Sequence, residues 1–381
     1  MDLVVQRPDG LYCAAGDFHI DPWRPVERAL ITHGHGDHAR TGSRAYLAVR
    51  ESEGILRTRL GTVSLQTVRY GEPLRIGEAT VSFHPAGHVL GSSQIRIAAH
   101  GQVMVVSGDY KVEPDATCAP FEPVRCDTFV TESTFGLPIY RWRPHREVFD
   151  AIDAWWAANA EANRASVLFC YAFGKAQRIL AGVDASIGPI LCHGAVEPLN
   201  RAYRAAGVPL PPTQMVSEVT DKSVFRRALV LAPPSAAGST WMRRFGDYSD
   251  AFASGWMQLR GARRRRAVDR GFVLSDHADW PGLQRAIRDS GAARVIVTHG
   301  YEATMVRWLR ENGLDADAFR TEYGGEDSAA VAEGAADTGN DADAAAHVAA
   351  DAAARTAPRD ETALAADGGE DDATVGRTDL A

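Results

Sequence analysis

Seven residues, Thr32-His33-Gly34-His35-Gly36-Asp37-His38, constrain this chain more than any other stretch. They follow the apolar run Ala29-Leu30-Ile31, and such a run ending in a polar cluster predicts a buried strand feeding a loop. Three imidazoles and a carboxylate within six residues are a metal-ligand set. Donors of this kind suit zinc, and also manganese or iron. Gly34 and Gly36 permit a tight loop in which alternate side chains face different ways. Two metals then fit side by side, His33 and His35 on one, Asp37 and His38 on the other. A lone H-x-H would be weak support for this; the full four-residue pattern directly after a strand is strong.

Length and composition set the frame. The 381 residues admit two domains or one domain with a large insertion, and a hydrophobic content of 45% supports a sizeable core. The formal charge of −8 hides a division. Residues 324–381 hold 14 acidic and 3 basic side chains, whereas residues 1–323 hold 35 acidic and 38 basic ones. The body is slightly basic and the acidity belongs to the tail. Cys13, Cys118, Cys126, Cys170 and Cys192 show no C-x-x-C spacing, which predicts reduced thiols in a cytoplasmic protein. The N-terminus has no apolar leader and no 18-residue apolar run occurs, so neither secretion nor a membrane span is expected. Arg outnumbers Lys 38 to 3, and Arg suits bidentate phosphate contacts.

Further along, Ala39 to Leu60 reads as helical and strands follow to Ile97. His88 lies in the Gly-flanked loop Pro85-Ala86-Gly87-His88-Val89-Leu90-Gly91, with His84 close by. Gln102 to Val106 is an apolar strand leading to Ser107-Gly108-Asp109, and a carboxylate there is costly unless paired or metal-bound. Thr128 to Glu132 is another strand, running into Ser133-Thr134-Phe135-Gly136. Late in the chain come Ser275-Asp276-His277-Ala278-Asp279 and Thr298-His299-Gly300.

Taken together these motifs resemble the metallo-β-lactamase superfamily and, from Glu132-Ser133-Thr134-Phe135-Gly136 onward, its β-CASP nucleases. The resemblance covers about residues 12 to 323 and implies an α/β fold, an αββα sandwich carrying an inserted β-CASP-like α/β domain. The expected boundaries are 1–137 for the first part of the lactamase domain, 138–265 for the insertion and 266–323 for the return segment. Residues 324–381, rich in Ala and Asp without apolar periodicity, are expected to be a disordered tail. The resemblance also implies roles. His88 completes the first metal's ligands, Asp109 bridges both metals, and His299 completes the second. His277 faces the scissile phosphate and pairs with Glu132, and Asp37 counts among the catalytic groups. Asp21, or less well Asp17, supports the metal loop. Artemis-type enzymes lack a histidine at the last position, so this chain departs from them.

The inserted region offers nucleic-acid contacts. Ser166 to Tyr171 leads into Phe173-Gly174-Lys175-Ala176-Gln177, a strand, glycine and helix start that form a natural anion site, with Lys175 as its cation. Arg263, Arg264, Arg265 and Arg266 would touch the phosphate backbone in any sequence. His19, His84, His100, His145, His193 and His347 are read as structural or solvated. The strings Tyr171-Ala172-Phe173-Gly174-Lys175, Ala253-Ser254-Gly255-Trp256 and Phe272 to Trp280 resemble the bacterial ligase-associated DNA exonucleases. That group is often labelled as mRNA 3′-end processing factors. The expectation is a DNA exonuclease of DNA repair using two divalent ions, zinc or else manganese, in association with a DNA ligase and helicase. An RNA endo- or exonuclease of the RNase J or mRNA 3′-end processing type is the alternative. A non-catalytic nucleic-acid-binding subunit would have lost ligands, and every ligand is present. A small-molecule hydrolase would not need the insertion.

Overall fold

The computed structural model describes residues 2–261 and 266–323, which build three sheets. The first has six strands side by side in chain order: β1 (Val5–Arg7), β2 (Gly10–Cys13), β3 (Phe18–Ile20), β4 (Arg28–Leu30), β5 (Ala45–Val49) and β6 (Leu65–Val68). From β3 onward the pairing is parallel. The second contains β7 (Leu74–Ile76), β8 (Ala79–Pro85), β9 (Ser93–Ala99), β10 (Gln102–Val106) and β11 (Thr128–Ser133). Two late strands, β18 (Arg294–Gly300) and β19 (Asp315–Ala318), complete it in the order β19-β18-β11-β10-β9-β8-β7.

The period of two along each strand divides its side chains between two cores. On β5, Leu47 and Val49 join Val81, Phe83, Ile95 and Ile97 of the second sheet in one buried cluster. Their neighbours Tyr46 and Ala48 pack instead under α1 (Glu53–Leu60) through Leu56 and Leu60. Likewise Met104, Val106 and Ile296 face the first sheet, whereas Val105, Val295 and Val297 face two late helices. Those helices, Trp280–Ser290 and Glu302–Glu311, contribute Leu283, Ile287, Met305 and Leu309.

The third sheet is wholly parallel. It contains β12 (Ala165–Phe169), β13 (Ile190–Cys192), β14 (Gln214–Met215), β15 (Leu229–Ala232), β16 (Tyr248–Ala253) and β17 (Arg270–Phe272), in the order β14-β13-β15-β12-β16-β17. One face packs on α2 (His145–Glu161), α3 (Lys175–Gly182) and α4 (Glu197–Ala205) through Trp156, Ile179 and Leu199. The two late helices are α5 (Trp280–Ser290) and α6 (Glu302–Glu311).

One expectation changes. Residues 45–49 are strand rather than helix, because Ala45–Val49 pairs with both β4 and β6 and buries both faces. Arg270–Phe272 pairs with Ala251–Ala253 as the last strand of the third sheet. Arg263, Arg264, Arg265 and the tail 324–381 lie outside the described residues. No helix among the described residues is long and apolar enough to cross a membrane.

Candidate metal centre

Strands β10, β11 and β18 are parallel neighbours, so their carboxyl ends open at one edge of the second sheet. That edge receives Asp109 just past β10, Glu132 near the end of β11 and His299 near the end of β18. Ligands gather at the carboxyl ends of parallel strands because the loops there converge. A register shift between Thr131 and Ser133 places Glu132 at an irregularity of β11, a device that re-aims a side chain. The metal loop leaves β4 and turns back at His35, whose carbonyl accepts from the amides of His38 and Ala39 at 3.1 and 2.8 Å. Gly34 fits there because a Cβ would lie 2.7 Å from Ile55. Gly108, at φ +56°, brings the chain before Asp109 against Thr32.

Asp109 divides the donors into two sets. Its Oδ2 lies 3.5 Å from His33 Nε2 and 3.8 Å from His88 Nε2. Its Oδ1 lies 3.1 Å from His299 Nε2 and 3.6 Å from His38 Nε2. His35 Nδ1 sits 3.1 Å from His88 Nε2, and Asp37 Oδ2 sits 3.9 Å from His38 Nε2. The donor atoms of His33, His35, His88 and Asp109 fall within 4.8 Å of one another, as do those of His38, Asp109 and His299.

These donors fit cations. His33 Nε2, His38 Nε2 and Asp109 Oδ1 are buried without a hydrogen-bond partner. An unsatisfied buried polar group costs about 1–3 kcal/mol, so three at one point call for a ligand. Burial, and then His38, holds His33 well below the usual imidazole range; burial and His88 do the same for His35. Burial and His277 bring His88 down to about 4. Neutral imidazoles are the form that ligates a metal. Burial also opposes the charged form of His38, yet Asp109, Asp37 and Asp21 overcome it and raise that imidazole to about 10. Burial likewise opposes an ionised Asp109, and His38 and His299 nonetheless hold it well below the carboxylate range. The second set thus carries an excess of negative charge that a cation would neutralise.

The opposite ring nitrogens are held in turn, which fixes tautomer and orientation. His38 Nδ1 lies 2.8 Å from Asp21 Oδ2, and Asp21 Oδ1 accepts from the Thr32 amide at 2.8 Å. Asp17 accepts instead from the Tyr12 hydroxyl. His33 Nδ1 meets Thr32 Oγ1, and His299 Nδ1 meets Thr298 Oγ1, each at 3.1 Å. His35 Nε2 faces the Phe173 carbonyl at 3.3 Å, and His88 Nδ1 faces the Asp276 carbonyl at 2.9 Å. Tyr323 stacks on the His38 ring at 4.3 Å.

Beside Asp109, His277 Nδ1 lies 3.0 and 2.9 Å from the two oxygens of Glu132. The Tyr110 amide donates to the same carboxylate at 2.8 Å. Burial opposes an ionised Glu132, but His277 holds it below the ordinary carboxylate range. The Lys175 side chain is fully buried, its Nζ 3.5 Å from Asp276 Oδ2. Arg178, on the same helix, reaches Asp276 Oδ1 at 3.2 Å and Asp115 Oδ2 at 2.8 Å, and bonds the Ser275 carbonyl. Arg266 lies over the Phe252 ring at 4.5 Å. His84 engages Ser82 and Glu122, and His145 packs on Arg178. Sequence reasoning missed Thr32, Asp276, Tyr323 and the Phe173 carbonyl. Asp276 stood within the quoted Ser-Asp-His motif; a backbone carbonyl leaves no mark in a sequence.

No family model matches the chain. A probable DNA ligase of Opitutus terrae is 30% identical over 323 residues, 84% of this chain and 31% of that protein. A ribonuclease of Thermus thermophilus is 31% identical over 157 residues, 34% of this chain and 35% of its own length. Subunit 3 of the cleavage and polyadenylation specificity factor of Dictyostelium discoideum is 28% identical over 122 residues, 32% of this chain and 16% of that one. The chain therefore spans about a third or less of the curated relatives it matches. A crystal structure of an Enterococcus faecalis protein of unknown function shares the fold, with a TM-score of 0.55 at 12% identity over 78% of this chain and 80% of that one.

Proposed function

We propose that this chain, which belongs with the β-CASP nucleases of metallo-β-lactamase fold, trims DNA from an end by hydrolysing phosphodiester bonds. The single observation that carries the chemistry is the buried donor set split by Asp109, with the His277–Glu132 pair at its side. The αββα arrangement is part of the proposal, supported by the core shared between the first two sheets and by helices on the outer face of each.

His33, His35, His88 and Asp109 would hold one divalent ion, and Asp37, His38, His299 and Asp109 a second. Zinc suits the donors best, and manganese second. When bound, such ions supply a water that ionises near neutral pH and positive charge for the phosphate oxygens. The chain's own residues do the rest. Glu132 holds the His277 imidazole through Nδ1 and favours its charged form, so the ring can give a proton to the leaving oxygen from Nε2. Asp21 and the Phe173 and Asp276 carbonyls fix the ligand imidazoles before substrate arrives.

DNA is favoured because the match to the probable DNA ligase extends over 84% of this chain. The ribonuclease and polyadenylation relatives align over about a third of it. The same relative supports association with a DNA ligase. The reading with RNA as substrate keeps one observation of its own: relatives named for RNA cleavage match here, and His299 is present where Artemis-type enzymes differ. Purified protein with zinc or manganese is given end-labelled single- and double-stranded DNA and RNA. Shortening of DNA from one end, abolished by chelator and restored by metal, is expected. Cleavage of RNA with DNA left intact transfers the assignment to the RNA reading.

A further inference from the structure

A cavity beside the metal loop is walled by arginines that the metal chemistry does not use. It encloses about 400 Å³, and Trp23, Arg24, Gly36, Arg40, Arg59 and Leu60 are among the residues lining it. Gly36 belongs to the metal loop, and Asp37 beside it is only partly buried, so the cavity opens where the loop meets solvent. Arg40 is anchored, its Nε donating to the Asp37 carbonyl at 3.3 Å and its Nη1 to the Trp23 carbonyl at 3.2 Å. Arg59 enters from the last turn of α1.

The wall already receives an oxyanion. Glu322 takes Arg24 Nη1 at 2.6 Å and Nη2 at 2.8 Å, and approaches Arg40 Nη1 at 4.0 Å. This planar two-point contact is the geometry by which guanidinium groups also bind phosphate. Glu322 reaches in from outside; no carboxylate lines the cavity itself among the described residues. Three guanidinium groups therefore surround a space large enough for a phosphate and its sugar, next to the loop that would carry the metals.

We infer that this cavity is a subsite for a backbone phosphate flanking the bond that is cut, with Arg24, Arg40 and Arg59 as its cations. The inference rests on the nuclease reading and adds the path of the strand, past Gly36 and over the end of α1. Glu322, outside the cavity, holds Arg24 until a phosphate competes for it.

The test uses oligonucleotides carrying one methylphosphonate, an uncharged phosphate, at each position in turn. Wild type is compared with Arg24→Gln, Arg59→Gln and Glu322→Gln. In wild type one flanking position should raise KM about tenfold when neutralised, the size of one lost charged hydrogen bond. In Arg59→Gln that position should lose its penalty, and the slope of log affinity against log salt should fall by about one. Glu322→Gln should lower KM, the opposite sign. Arg59 lies outside the Glu322 pairing, so Arg59→Gln stays informative if Arg24→Gln fails to fold. Equal penalties in wild type and Arg59→Gln, with an unchanged salt slope, overturn the subsite while leaving the nuclease reading intact. A wild type that neither binds nor cuts any oligonucleotide overturns both.

Discussion

Two late histidines look alike as sequence and differ in surroundings. His299 turns Nε2 to Asp109 at 3.1 Å and joins His38 in the second donor set. His277 gives Nδ1 to both oxygens of Glu132. His299→Ala is therefore expected to lower metal content toward one ion per chain and to abolish cleavage. His277→Ala should keep both ions and lose turnover by about 10²–10⁴-fold, the contribution of a general acid. Glu132→Gln should keep the ions too, with a milder loss, because an amide still accepts from the Tyr110 amide and still occupies the space. Metal analysis beside a cleavage assay reads all three. Loss of a metal from His277→Ala with both retained by His299→Ala would reverse the two roles. That imidazole donors gather here was legible in His33 to His38, because residue type and spacing are written in the sequence directly. What holds Phe173 and Asp276 against the rings is backbone, which sequence does not display.

Helix α3 shows why the third sheet matters to chemistry carried by the other two. Lys175 and Arg178 put two buried cations against Asp276, whose carbonyl orients His88 and whose neighbour is His277. Burial opposes an ionised Asp276, yet Lys175 and Arg178 hold it well below the carboxylate range. With its folded pKa depressed, Asp276 contributes stability that is complete above its unfolded value of about 3.9 and is lost as pH falls through the folded one. Asp276→Asn should therefore flatten the pH dependence of stability at the acid end. At neutral pH it should cost about 3–5 kcal/mol, because the buried carboxylate that both cations face is lost, even though Arg178 keeps Asp115. Denaturant unfolding at pH 7 and across the acid range measures both. An unchanged midpoint at pH 7 would show that the network does not hold α3 in place. Strand β10 was readable as an apolar run, and Lys175 as the start of a helix. That Lys175 points inward was not readable, because its partner Asp276 lies a hundred residues away. β5 was hidden for a related reason: burial on both faces erases the alternation that marks a strand.

At the scale of the whole chain, charge is divided by position. Residues 1–323 carry 38 basic against 35 acidic side chains, and residues 324–381 carry 3 against 14. The 58 residues of the tail contain five Val or Leu and no Ile, Phe, Met, Trp or Tyr. Removing 324–381 should therefore leave the unfolding midpoint of the body in place. On the proposed function, a net charge of −11 tethered to this body would compete with phosphate for the same arginines. Truncation should then tighten oligonucleotide binding at low salt. The gain should shrink as salt rises, because screening falls to about 8 Å at physiological ionic strength and below that at higher salt. Titrations of full-length and truncated protein from low to high salt give the comparison. Two binding curves that coincide at every salt concentration would mean that the tail does not compete for the arginines, and a truncated body that unfolds would mean that it belongs to the core.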